Sequence, residues 1–284
     1  TFTRNNNLAL LLAQMPLQEW SWLAPEIVTT FSDIDIADLF AGADTHWQHR
    51  KKQYLSKILR DCSDIADISH ANKRILCRRD RLSDGMRKAL ENPAALLEKS
   101  TVLKSGNSAT VAAVMIDDKR YVLKRYRNKD IWRTIRRLWR TTRAERSWYF
   151  SHAIAFAGIH TPTPIALVEI RKHGTVIDAW FITEHIDGKD LLSYWQQQLP
   201  TDQECSTIQQ LFSGLKKLGI SHGDMKATNI LVEQEKFYLI DFDGAREITH
   251  NKALEKALHH DAARFLRNWD NSSTVNLLKK VLAL

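Results

Sequence analysis

One stretch constrains this chain more than any other: His222-Gly223-Asp224-Met225-Lys226-Ala227-Thr228-Asn229, followed by Leu239-Ile240-Asp241-Phe242-Asp243-Gly244. It sets an Asp, a Lys two residues on, an Asn five residues on and another Asp seventeen residues on. Local structure explains that spacing. Ile230 to Glu233 reads as a short strand, Gln234-Glu235-Lys236 as a turn and Phe237 to Phe242 as the partner strand. The hairpin brings Asn229 and Asp241, at its open end, close together. These residue types suit a site that holds a metal–triphosphate complex beside an acceptor hydroxyl. One carboxylate orients the attacking oxygen, and amide and carboxylate oxygens hold Mg²⁺.

With 284 residues, 44% of them hydrophobic, the chain can bury a core of one or two domains. No apolar run approaches the length that spans a bilayer. Leu8 to Ala13 follows Arg4 but precedes no small-residue cleavage pattern, so it is read as an ordinary buried segment. Cys62, Cys77 and Cys205 are odd in number and far apart, which predicts reduced thiols in a cytoplasmic protein and no disulfide framework.

The formal charge is +8 and is unevenly spread. Between Arg125 and Arg146, nine Lys or Arg residues face only Asp130 and Glu145, so that window alone carries +7. Such a concentration points to a polyanionic surface or substrate. Within it, Ile131, Trp132, Ile135, Leu138 and Trp139 form an apolar stripe at helical period. Arg133, Arg136, Arg137, Arg140 and Arg143 surround that stripe. Such a helix lies at an anionic membrane surface or holds sugar phosphates. The alternative is a solvated face over a core stripe. Aromatics at helical spacing do not make a base-stacking platform, so no nucleic-acid partner is expected.

Residues 1–94 are expected to form a helical support, with a stripe of Tyr54, Leu55, Ile58, Leu59 and Cys62 and a helix end near Asn92-Pro93. After Lys99 the pattern turns to strands. Thr110 to Ile116 and Arg120 to Tyr126 flank the turn Asp117-Asp118; Ile165 to Arg171 and Val176 to Ile186 flank Lys172-His173-Gly174. Beyond Asp190 helices return. Thr201 and Glu204 predict a capping box, Ile208, Leu211, Phe212, Leu215 and Leu218 a buried face, and Gly219 the stop. His259-His260-Asp261 has no partner cluster and reads as the surface of a C-terminal helix.

From about Ala95 to Leu284 the chain resembles the protein-kinase-like fold, and most closely the small bacterial lipopolysaccharide-core kinases that phosphorylate Kdo or heptose sugars. The phrases that carry the likeness are Leu218-Gly219-Ile220-Ser221-His222-Gly223-Asp224, Tyr238-Leu239-Ile240-Asp241-Phe242-Asp243 and Arg264-Phe265-Leu266-Arg267-Asn268-Trp269. The resemblance implies an α+β, bilobal fold. A small β-rich N-lobe would span about 95–186 and a reduced helical C-lobe about 187–284.

It also implies roles. Asp224 would accept or orient the proton of the acceptor hydroxyl, and Lys226 would offset charge on the transferring phosphoryl. Asn229 and Asp241 would bind Mg²⁺, and Asp243, where protein kinases carry Gly, would help with a second metal. His222 would brace the loop by a hydrogen bond. Lys124, in Val122-Leu123-Lys124, matches the strand lysine on the ATP phosphates, with Glu145 as its helical partner. The alternative for Glu145 is a surface ion pair. The phosphate-covering loop would be Lys104 to Val111, in which only Gly106 of three glycines remains, aided by Ser105 and Ser108. Main-chain groups of Glu184 and Ile186 would read adenine, with Thr183 at the back of the pocket.

Gly223 stands where regulated protein kinases have Arg, and no APE-like stretch follows Asp241. A compact acceptor site is therefore expected. The activity implied is an ATP- and Mg²⁺-dependent kinase acting on a sugar of the lipopolysaccharide core precursor, in the cytoplasm or peripherally on the inner membrane. The competing readings are a kinase for a protein or other small molecule, and a non-catalytic, membrane-associated scaffold.

Overall fold

The two strands predicted around the turn Asp117-Asp118 pair as a hairpin in the computed structural model, which describes residues 2–31, 34–106, 109–127, 141–196 and 198–282. In chain order the helices α1 (Phe2–Leu12), α2 (Trp20–Thr30) and α3 (Ile36–Lys57) come first. Asp35 starts α3 by accepting from the backbone N–H of Ala37 and Asp38. Strands β1 (Ile65–Asp67) and β2 (Lys73–Arg78) follow, then α4 (Asp84–Glu91) and α5 (Pro93–Glu98). Next are β3 (Thr101–Ser105), β4 (Ala109–Ile116), β5 (Lys119–Arg127), α6 (Arg143–Phe156), β6 (Pro164–Lys172) and β7 (Thr175–Glu184). The remainder comprises β8 (Lys189–Asp190), α7 (Leu191–Tyr194), α8 (Asp202–Leu218), β9 (Ile220–Ser221), β10 (Ile230–Glu233), β11 (Lys236–Leu239), β12 (Arg246–Glu247), α9 (Asn251–Leu266) and α10 (Ser272–Leu282).

Strands β1 to β7 make one antiparallel sheet in the order β1-β2-β6-β7-β5-β4-β3. Most of the described residues before 94 are helical, but β1 and β2 also lie there and extend this sheet beyond β6. Strand β2 is buried on two sides. Ile75, Leu76 and Cys77 are consecutive and all fully buried, so the strand shows no polar–apolar alternation. On one face, Ile75 and Cys77 join Met86 and Leu90 of α4 with Val114, Leu123, Val168 and Trp180. On the other, Leu76 joins α3 and α6 through Trp47, Trp148 and Ile154.

Helix α3 ties the halves of the molecule together. The Trp148 indole N–H donates to Ile58 O at 2.9 Å, Tyr54 Oη meets His152 Nδ1 at 2.7 Å, and Lys51 Nζ reaches Leu218 O at 3.3 Å. In the lower half the capping box of Thr201 and Glu204 forms as expected, and Gly219 ends α8 at φ 72°. All three cysteines are free thiols. No helix of the described residues is long and apolar enough to cross a membrane. The basic stretch with Arg133, Arg136, Arg137 and Arg140 lies outside the described residues.

Candidate active site

The hairpin predicted from the sequence forms with Ile230 paired to Leu239 and Glu233 to Lys236. Its turn is tighter than expected, since Gln234 and Glu235 both take positive φ, at 48° and 62°, and Lys236 already belongs to β11. At the open end Ile240 N–H donates to Asn229 O at 2.9 Å. This places Asn229 and Asp241 side by side on the wall of a cleft of about 530 Å³ between the halves. Asp241 adopts φ 66°, ψ 69°, a left-handed conformation that costs a non-glycine residue about 1–3 kcal/mol.

The loop before the hairpin is held from below. Asp261 of α9 is buried, and its carboxylate accepts from Ser221 Oγ at 2.8 Å, His222 N at 2.8 Å and Gly223 N at 2.9 Å. Asp261 therefore is not helix surface, as its sequence context suggested. One carboxylate satisfies two adjacent backbone donors and a hydroxyl that would otherwise be buried unpaired. His222 acts as the expected brace. Its Nδ1 accepts from Asp224 N at 3.3 Å, so Nε2 carries the proton and donates to Ile240 O at 3.0 Å. Burial lowers its pKa below the ordinary histidine value, which keeps that neutral tautomer. Gly223 sits at φ 78°, and a Cβ there would lie 2.4 Å from Gly244 O. No side chain fits where the two loops cross.

Both oxygens of Asp224 are engaged by cations. Lys226 Nζ donates to Oδ2 at 2.9 Å, and Arg264 of α9 ion-pairs with Oδ1. Asn229 Nδ2 donates to the Asp224 main-chain carbonyl at 2.8 Å, which leaves its side-chain Oδ1 as an acceptor. An amide oxygen and a carboxylate are hard donors of the kind Mg²⁺ takes, alongside phosphate and water. Asn229 and Asp241 thus fit that ion. Arg264 lay within a phrase that carried the family resemblance, but no sequence rule joins it to Asp224, forty residues away.

Lys124 departs from the expected pairing. Its Nζ donates to Asp241 Oδ1 at 2.7 Å and to Asp243 Oδ1 at 3.0 Å. Glu145 instead pairs with Arg74 of β2 at 2.6 Å, next to the fully buried Glu169, which lies 3.5 Å from the same guanidinium group. The physical reason is the missed strand: β2 carries a guanidinium across the sheet to the Glu145 carboxylate. Asp243 collects further donors. Tyr126 Oη donates to Oδ1 at 2.8 Å, Ser147 Oγ lies 3.2 Å away, and Arg143 bonds Oδ2. Burial pushes the Asp243 carboxyl up, but Lys124 and Arg143 outweigh it and hold it below the ordinary carboxylate value.

The rest of the cleft follows the sequence in part. Val111, Val122, Thr183, Glu184, Ile186, Leu231 and Phe242 line it. The Glu184 carboxylate accepts from Thr163 Oγ1 at 2.8 Å, and its N–H donates to Thr163 O at 3.0 Å. Gly106 N–H donates to Ala109 O at 2.9 Å in the link between β3 and β4, and Lys104 enters the cleft wall. Ser108 lies outside the described residues.

A strand-rich half and a helical half, with a catalytic-type loop and a metal-type hairpin at the cleft between them, define a protein-kinase-like fold. The chain belongs to the Lipopolysaccharide kinase (Kdo/WaaP) family, which matches residues 94–278. It is similar to the 3-deoxy-D-manno-octulosonic acid kinase of Vibrio parahaemolyticus, 30% identical over 114 residues, covering 39% of this chain and 48% of that protein. The Photobacterium profundum protein of the same name is 34% identical over 107 residues, covering 37% and 45%. That of Pasteurella multocida is 41% identical over 93 residues, covering 31% and 38%. The chain thus spans about half the length, or less, of the curated relatives it matches. Among solved structures, one described as WaaP in complex with acyl carrier protein superposes with a TM-score of 0.50 at 16% identity, covering 71% of this chain and 87% of that one. That likeness speaks for the fold alone.

Proposed function

We infer that the protein transfers the γ-phosphate of ATP to a sugar hydroxyl of the lipopolysaccharide inner core, with Kdo as the acceptor. The observation that carries this reading is that Lys124, Asn229 and Asp241 line one cleft, and that Asn229 bonds the main chain of Asp224, whose carboxylate pairs with Lys226. The names of the similar proteins favour Kdo over heptose. The charge of +7 between Arg125 and Arg146 supports an anionic acceptor. Three free thiols support a reaction on the cytoplasmic side, at the inner membrane where such an acceptor is made.

Each residue has a distinct part. Glu184 and Ile186 offer main-chain groups to the adenine ring, and Lys124 holds the phosphates. Asn229 and Asp241 hold Mg²⁺, which when bound neutralises charge on the phosphate oxygens. Lys226 and Arg264 each hold one oxygen of the Asp224 carboxylate, which has about four acceptor sites, so lone pairs remain for the hydroxyl proton. Lys226, held beside that carboxylate, offsets negative charge on the transferring phosphoryl. Arg264 stays on Oδ1 and keeps the carboxylate aimed. Attack is direct and in line, with no covalent enzyme intermediate.

The test is γ-phosphate transfer to acceptors that end in Kdo, to acceptors that end in heptose, and to a generic protein. Mg²⁺-dependent transfer to the Kdo acceptor supports the reading. Transfer to heptose alone changes the sugar, and transfer to protein alone overturns the reading. Absence of nucleotide-induced thermal stabilisation, with and without Mg²⁺, favours a scaffold.

A further inference from the structure

We propose that Asp243 is the positioning residue for Lys124, replacing Glu145 in that duty, and that it leaves the metal to Asn229 and Asp241. The inference rests on the nucleotide-binding part of the function proposed above. A carboxylate offers about four acceptor sites. Asp243 Oδ1 faces Lys124 Nζ at 3.0 Å, Tyr126 Oη at 2.8 Å and Ser147 Oγ at 3.2 Å, and Oδ2 is bonded by Arg143. Oδ1 is crowded by three donors, Oδ2 is held by the Arg143 guanidinium, and the side chain is only 17% exposed. A metal at Oδ1 would have to strip buried donors from it, Lys124 among them, and one at Oδ2 would meet the Arg143 cation. Asp241 is different. Among the described residues its Oδ1 meets one donor, Lys124, and the side chain is 34% exposed at the cleft.

The donors on Asp243 come from different elements. Lys124 and Tyr126 stand on β5; Ser147 and Arg143 stand on α6. Asp243 therefore couples the position of α6 to the strand lysine, the task a helical acid would perform. Glu145, on the same helix, is occupied elsewhere. It bonds Arg74 at 2.6 Å, and Arg74 also lies 3.5 Å from Glu169, whose Oε1 accepts from the Thr142 hydroxyl. That cluster staples β2 and β6 to the start of α6. In this chain the acid on Lys124 stands in the loop after β11, and the helix acid belongs to the Arg74 cluster.

Nucleotide affinity and metal count separate this arrangement from the expected one. Calorimetric titration with a non-hydrolysable ATP analogue and Mg²⁺ gives the affinity. Mn²⁺ titration followed by electron paramagnetic resonance, with the analogue bound, gives the number of ions. Asp243→Asn should weaken analogue binding roughly tenfold to a hundredfold, the range of one charged hydrogen bond. Lys124→Ala should weaken it similarly, and the double variant should be no worse than Lys124→Ala. Glu145→Gln should stay within about twofold of wild type, an effect below about 0.5 kcal/mol. The Mn²⁺ count should not change in Asp243→Asn and should fall in Asp241→Asn. Loss of one ion in Asp243→Asn overturns the proposal, as does a Glu145→Gln defect equal to that of Lys124→Ala. If Asp243→Asn does not fold, the Glu145→Gln comparison decides alone. Failure of the wild-type protein to bind the analogue with Mg²⁺ refutes the kinase reading itself, and is thereby distinguishable.

Discussion

The Asp261 carboxylate supports the main chain of Gly223 through a 2.9 Å bond from the Gly223 N–H. The same group holds His222 N, so the peptide run just before Asp224 hangs from one buried side chain of α9. Asp261→Ala leaves two backbone donors and a hydroxyl unpaired, at about 1–3 kcal/mol for each that stays buried. The expected outcome is a loss of about 2–5 kcal/mol of stability in urea melts. Turnover should fall about a hundredfold or more, because the Asp224 carboxylate is no longer fixed. Unchanged turnover would mean that the loop holds itself.

Gly223 and Gly174 make a controlled pair. Both take positive φ, 78° and 77°, but a Cβ at Gly174 meets nothing within 4 Å whereas one at Gly223 lies 2.4 Å from Gly244 O. Gly174→Ala should cost about 1–2 kcal/mol, the left-handed penalty alone. Gly223→Ala should cost clearly more and abolish phosphate transfer. Thermal melts of the two variants side by side check this, and equal melting temperatures would refute the crossing of the two loops.

Arg264 tests how Asp224 is aimed. Arg264→Gln removes the cation on Oδ1 and should lower kcat about tenfold to a hundredfold, the scale of a misplaced catalytic group. Nucleotide affinity should stay near wild type. A change in affinity with kcat intact would contradict the assignment.

His152 sets an acid limit on stability. Burial, with a smaller effect of Arg78, lowers its pKa from 6.5 to about 3. Between those values the unfolded chain binds a proton that the folded chain does not, so stability rises with pH across the window. The contribution is complete above 6.5 and is lost as pH falls towards 3, with a slope of about 1.4 kcal/mol per pH unit. Replacing the pair as Tyr54→Phe with His152→Leu removes the titrating ring and the hydroxyl it bonds at 2.7 Å. Melting curves from pH 4 to 7 should flatten in that variant; an unaltered slope would contradict the role.

What the sequence made legible was local. The hairpin from Ile230 to Leu239, the capping box at Thr201 and the turn at Asp117-Asp118 each depend on a few neighbouring residues. The hairpin alone places Asn229 beside Asp241. What stayed hidden was set by contacts distant in the chain. Strand β2 is buried on both faces, so its periodicity was silent, and with it went the Arg74–Glu145 pair. Asp261 looked like helix surface because its partners, Ser221 to Gly223, lie about forty residues earlier. The family likeness matches Glu145 to a helical partner of Lys124, and such a match says nothing of a competing guanidinium from another strand.

The most direct test of the central claim is Asp224→Asn, measured for both transfer and binding. The change keeps the shape of the side chain and removes the charge that orients the acceptor hydroxyl. Transfer of γ-phosphate to a Kdo acceptor should fall at least a hundredfold, the range of a lost acid–base group. Affinity for Mg²⁺–nucleotide should stay within a few-fold of wild type, since Lys124, Asn229 and Asp241 are untouched. Transfer at the wild-type rate by Asp224→Asn would contradict the account.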